Sequence, residues 1–262
     1  MITFDKIVNK LLKKWWKVIF KNDIFEIIDP EKKPEYTTIV NKIIYRLKSE
    51  NVIKTIRNWI YLVPDKTDEK LNEVDLIEKY YYSLVKKYIT SNCGSDYYIS
   101  GHKSLEIHLK DFSIPEKLVI VNRNVNKKIF IWNYVIIFKT ITSKEAGKSR
   151  NLFSKLSKMT TSVLVDSVNF KISNLELAIV ENAIISDWVD GIDIVLINKA
   201  LKKYSKFLVK DNFYYIWQLK FIMAFNRLKE LSKWIDKKLY EVFLDIIKKN
   251  WGLFIWEWLR KI

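Results

Sequence analysis

The chain has 262 residues, 49% of them hydrophobic and 29% charged, enough for a buried core and unlike a disordered tail or a bundle of membrane spans. Lysine and arginine number 46 against 30 aspartates and glutamates, and the net charge of +16 points to a polyanion or an acidic partner. One cysteine, Cys93, excludes an intramolecular disulfide and a cysteine-based zinc site, and implies a reducing, cytoplasmic setting.

Met1 to Lys14 lacks the apolar core of a signal peptide. The densest apolar run, Ile129 to Phe138, is broken by Asn133 and falls short of the roughly 18 residues of a spanning helix. No secretion signal and no membrane partner are expected.

Residues 1–66 read as one compact unit. Thr3 caps a helix to Lys14 with Ile7, Leu11 and Leu12 on its apolar side. Val18–Phe20 is a short extended piece, and Asn22 caps a brief helix through Ile28. Asp29-Pro30 and Lys33-Pro34 mark a loop. The clearest helix runs from Tyr36 to Glu50: Ile39, Ile43 and Leu47 recur four apart, widened by Val40 and Ile44. Its opposite face carries Thr38, Asn41, Lys42 and Tyr45, flanked by Arg46 and Lys48. A hairpin of Val52–Ile56 and Ile60–Val63 follows, closed by Pro64-Asp65.

Helix, short strand, helix, helix, hairpin is the order of a winged helix-turn-helix. The third helix would offer polar side chains to the major groove of double-stranded DNA, and the wing would set Lys54, Arg57 and Asn58 at the phosphates. Residues 1–65 hold thirteen basic and eight acidic side chains, a moderate excess. The competing reading is a winged helix that serves as a protein-interaction module.

Residues 66–73 are polar and suit a linker into a second domain, 67–262, predicted as mixed α/β to about residue 170 and helical over 173–262. A helix is predicted over Val74–Ile89, strands at Tyr97–Ser100 and Leu118–Val121, and a short helix at Lys103–Leu109. Lys128–Phe130 and Tyr134–Ile141 form a hairpin, and Val163–Phe170 adds extended structure. Ser173-Asn174-Leu175-Glu176 reads as a capping box opening a helix through Ile185. Helices at Asp193–Phe207, Phe213–Leu231, Lys237–Lys249 and Leu253–Lys261 complete an α+β fold of class α/β.

The sequence carries no recognisable catalytic constellation. His102 and His108 lie about 120° apart on a helix, which separates them as metal ligands and leaves one as a cap and the other on the surface. Gly147-Lys148-Ser149 lacks the first glycine of a phosphate loop, since position 142 is Thr. Ser100-Gly101-His102 is not a nucleophile elbow. Asp187, Asp190 and Asp193 make a loop around Gly191, and Cys93 has no activating base. A non-enzyme without cofactor or metal is expected.

Over 121–158, nine basic side chains face one acid, Glu145. Arg123, Lys127, Lys128, Lys144, Lys148 and Arg150 are therefore second-tier candidates for phosphate contact; a solvated basic face is the alternative.

The chain has 5 glycines and 10 tryptophans, and about 2% glycine is low against a typical ~7%. Trp59 and Trp132 fall in hairpin slots where Asn-Gly or Gly-Asn is natural, and Trp15, Trp16 and Trp251 follow helical runs that glycine commonly ends. One reading is that the source cell decodes UGA as glycine and that these codons were rendered as tryptophan. The other is a genuinely tryptophan-rich protein.

The stretch Ile43 to Lys48, with Arg46-Leu47, followed by Val52 to Pro64, resembles the winged helix of AbiEi-family antitoxins, whose basic wing ends in Gly-[Ile/Val]-Tyr-x-x-Pro. Trp59 departs from that glycine. Tyr98 to His102 with Leu105 to Leu109 looks like the family's strand and helix opening its C-terminal domain, and Ser173 to Ala178 like a later helix start. The resemblance covers most of the first 185 residues in order. It implies an antitoxin of a type IV toxin–antitoxin, or abortive-infection, pair that represses its own promoter through the winged helix. The C-terminal domain would counter a nucleotidyltransferase-like toxin, and no residue is assigned that role. A stand-alone DNA-binding regulator and a module that binds no DNA are the alternatives.

Overall fold

The computed structural model describes residues 3–13, 17–68, 70–145, 148–184, 193–219 and 221–249. The chain is mixed α/β and divides into two compact units, Met1–Ser91 and Asn92–Ile262. The division falls beyond the boundary expected after residue 66. The sequence after the polar stretch folds back on the first unit, tied there by charged and aromatic side chains.

The first unit begins with α1 (Phe4–Lys13), β1 (Val18–Phe20), α2 (Lys21–Ile28) and α3 (Thr37–Ser49), then the hairpin β2 (Lys54–Arg57) and β3 (Ile60–Leu62). The three strands form one antiparallel sheet in the order β1-β3-β2. The start of α2 differs from expectation. Asp23, not Asn22, makes the cap, its carboxylate accepting the Phe20 N–H at 2.6 Å.

Helix α3 closes with a left-handed residue, Asn51: its N–H bonds the Lys48 carbonyl and the Val52 N–H bonds that of Leu47. That stop turns the chain into β2. Val40, Ile44 and Leu47 of α3 are buried with Ile7, Leu11, Ile19, Ile24, Ile53 and Tyr61 in one core.

The helix predicted over 74–89 is two, α4 (Glu73–Lys79) and α5 (Tyr81–Cys93), interrupted at Tyr80. Tyr80 donates its hydroxyl to the Asp68 carboxylate at 2.7 Å, and that anchor fixes the break. Helix α4 packs along β2. Lys87 of α5 reaches Asp23 at 2.6 Å in a pair almost closed to solvent, and the Tyr88 ring meets that of Phe20 at a tilt, centroids 5.2 Å apart.

The second unit is built on a six-stranded mixed sheet of β4 (Tyr97–Ser100), β5 (Lys117–Asn122), β6 (Lys127–Ile131), β7 (Tyr134–Lys139), β10 (Thr160–Val165) and β11 (Val168–Ser173). Its order is β10-β11-β4-β5-β7-β6, parallel at β11/β4 and β5/β7. The predicted extended piece at 163–170 is a hairpin, turned by Asp166 and Ser167, both left-handed. A separate ribbon pairs β8 (Thr142–Glu145) with β9 (Lys148–Asn151); being almost wholly polar, it carries no strand signal in its sequence.

Helices α6 (Gly101–His108), α7 (Phe153–Leu156), α8 (Leu175–Asn182), α9 (Ile194–Tyr204), α10 (Lys210–Trp217), α11 (Ile222–Ser232) and α12 (Lys237–Lys249) complete this unit. The helix predicted over 213–231 is split into α10 and α11. Phe213, Phe225 and Phe243 meet edge to face at its centre, and α8, apolar on most of its surface, is buried almost throughout. No described helix is long and apolar enough to cross a membrane.

Candidate nucleic-acid interface

On α3, Thr38, Asn41, Lys42 and Tyr45 lie on one face and are all exposed, Tyr45 to 76%. Positions 38, 41, 42 and 45 recur at helical spacing, while 40, 44 and 47 turn the other way into the core. The polar face therefore follows from the burial of the opposite one. Lys48 flanks it, exposed.

Arg46 flanks the other side but is engaged: its Nε donates to Glu50 at 2.7 Å, and its guanidinium lies 3.9 Å over the Phe4 ring. Arg46 thus ties α3 to α1. In the ribbon, Arg57 and Asn58 are exposed. Arg57 also hydrogen-bonds Tyr88, whose hydroxyl is pushed upward by burial and drawn back by that arginine.

Lys54 is half-buried. Its ammonium donates to the Asp68 carbonyl at 2.9 Å. Asp68 is itself fully buried and accepts from Lys79, Tyr80 and the Asp65 N–H. Burial works to raise the Asp68 carboxyl, but those donors outweigh it and hold the group below the usual aspartate range. Lys54 therefore belongs to a brace between β2, the turn at Lys66–Asp68 and the end of α4. Lysine at a strand end gives no sign of such a role; Asp68 alone, an acid in a polar linker, gives none either.

Of the second-tier basic residues, Arg123, Lys127 and Lys128 have described side chains. Arg123 pairs with Asp96 at 2.8 Å and donates to Ser154. Lys127 and Lys128 are exposed on β6, the edge strand. The side chains of Lys144, Lys148 and Arg150 lie outside the described residues, although their backbones form the β8–β9 ribbon. The loop acids Asp187 and Asp190 and the predicted helix Leu253–Lys261 also lie outside them.

A buried polar node in the second unit joins two stretches that the family resemblance singled out. Glu181 of α8, fully buried, accepts from Tyr98 Oη at 3.1 Å, the Gly101 N–H at 3.3 Å and Ser173 Oγ at 2.6 Å. It thereby caps the N-terminus of α6. Gly101 takes φ +67, a conformation that costs an L side chain and is easy for glycine. Burial pushes the Glu181 carboxyl up to about 6, against the pull of the Ser173, Ser100, Gly101 and Tyr98 donors.

The expected capping box is displaced by one residue. Asn174, not Ser173, caps α8 by accepting the Leu177 N–H, and Glu176 turns away to Val209 and Asn212. His108 is partly buried rather than freely exposed. Its Nε2 lies 2.8 Å from the Ser173 carbonyl, and burial lowers its pKa.

The node offers no activated nucleophile: Ser173 Oγ donates to a carboxylate, not to a histidine. Burial pushes the Cys93 thiol up to about 11, which suppresses the thiolate. Among the described residues no three His, Cys, Asp or Glu side chains gather where they could hold a metal ion. Asp193 caps α9 through the Leu196 N–H.

Compared with known proteins, the chain matches no family model and no curated protein. The likeness to AbiEi antitoxins accordingly stands on the quoted residues alone.

Proposed function

We propose that this protein is a DNA-binding transcriptional regulator of the antitoxin type, whose first unit is a winged helix-turn-helix that grips its own promoter. The observation that carries the reading is the exposed face of α3, with Thr38, Asn41, Lys42 and Tyr45 in one row beside a three-stranded antiparallel ribbon. A helix with polar side chains on one face fits the major groove, and asparagine and lysine supply donors for base edges or phosphates. Lys48, Arg57 and Asn58 extend the contact to the backbone on either side.

The second unit, in this reading, counters a nucleotidyltransferase-like toxin. Its support is the meeting of the Tyr98–Leu109 and Ser173–Ala178 stretches around Glu181.

One observation favours the rival reading, a protein-interaction module. Lys54 of the ribbon and Arg46 of α3 are held by intramolecular partners, which leaves the first unit with fewer cations for phosphate than its sequence promises. Fluorescence anisotropy separates the two. The protein should bind a duplex from upstream of its own gene at least a hundredfold more tightly than a shuffled duplex, and Asn41→Ala should erase most of that preference. Equal affinity for the two duplexes would favour the interaction module.

A further inference from the structure

We infer that the chain made in its source cell carries glycine at positions 59 and 132. Both positions are tips of two-residue hairpin loops. Arg57 pairs with Ile60, leaving Asn58-Trp59; Ile131 pairs with Tyr134, leaving Trp132-Asn133. In each loop one residue is left-handed, and in each it is the tryptophan, at φ +68 and +53.

The asparagine beside it is the residue that tolerates this conformation, yet it does not take it. The register of the strands, not the preference of the side chain, sets which position is left-handed. Glycine is the residue such loops use. The two described glycines of this chain, Gly94 and Gly101, occupy the same region at +59 and +67.

The indoles return little for that strain. Trp59 is 56% exposed and Trp132 55%. Trp59 meets the Lys21 ammonium, 3.9 Å from its ring centroid. Trp217 is the contrast: it is buried edge-on against Phe225 at 5.2 Å and has no left-handed backbone. Among the described tryptophans, backbone conformation therefore sets Trp59 and Trp132 apart from Trp217 and from Trp234, which is 86% exposed without a left-handed backbone, where composition treated them alike.

A UGA codon read as glycine in the source cell accounts for both positions without any other change to the fold. It would also make the tip of the ribbon a bare turn beside Arg57 and Asn58. That consequence rests on the DNA-binding reading; the glycine does not.

Tandem mass spectrometry of the protein from its source cells reads the two positions directly. Glycine at both is the expected result, and tryptophan at either overturns the inference. A second measurement uses the recombinant chain with tryptophan in place. Trp59→Gly with Trp132→Gly should raise the folded-to-unfolded ratio about fivefold or more, the relief of left-handed strain exceeding the entropy cost of glycine. Trp217→Gly should lower the ratio. A double variant no more stable than the parent would also overturn the inference. Neither readout involves DNA, so a failure here leaves the regulator reading standing, and the reverse.

Discussion

Replacing Glu181 with glutamine tests how the buried node of the second unit is held. The Glu181 carboxyl sits at about 6 in the fold, against an ordinary 4.5, chiefly because it is fully buried. The folded state therefore binds this proton more tightly than the unfolded chain does, by about 2 kcal/mol. Stability from this group is fully present below pH 4.5 and is lost as pH rises through 6.

His108 tilts the opposite way. Its pKa is lowered by burial, so the folded state prefers the neutral ring, and stability falls as pH drops below the ordinary histidine range. The two slopes overlap, and the difference between parent and Glu181→Gln isolates the first. Urea unfolding followed from pH 4 to 7.5 should show the parent losing about 2 kcal/mol relative to the variant across that window. The absolute stability of the variant does not enter, since an amide facing the Gly101 N–H carries its own cost. Parallel pH profiles for the two proteins would refute the reasoning.

Two further outcomes follow from the packing. Asp68→Asn turns one carboxylate oxygen into a donor facing Lys79, Tyr80 or the Asp65 N–H, and should cost the first unit about 2 kcal/mol in denaturant unfolding at pH 7. That figure is discounted for the exposure of Lys79, and an unaltered midpoint would show that the brace is not formed. Cys93, with its thiol pushed up to about 11, should react with iodoacetamide at pH 7.5 many times more slowly in the folded protein than in urea, and equal rates would contradict its burial.

The elements of the first unit were legible because helix α3 repeats its apolar residues at helical spacing and two short strand-like runs flank the turn at Asn58-Trp59. The same logic located β4, β5, β6 and β7. It failed where long-range contacts override local pattern. Helix 74–89 is cut at Tyr80 by a hydrogen bond to Asp68, twelve residues away. The first compact unit extends to Ser91, and within it Lys87 and Tyr88 meet Asp23 and Phe20, a pairing no local window contains.

The candidate site shows the same split. The exposed face of α3 could be read from its periodicity, whereas the engagement of Lys54 by the Asp68 carbonyl could not, because a lysine in a short strand looks solvated until its partner is placed. Ser-x-x-Glu at 173–176 is a strong local signal for a cap. The fold instead spends Ser173 on Glu181 and gives the cap to Asn174.

The salt dependence of duplex binding tests the central claim most directly. Lys42 and Lys48 are exposed on or beside the face of α3 assigned to DNA. Changing both to alanine should flatten the plot of log affinity against log salt by up to about two units, one for each lost phosphate contact. A slope identical to that of the parent would mean that this face of α3 does not meet the duplex.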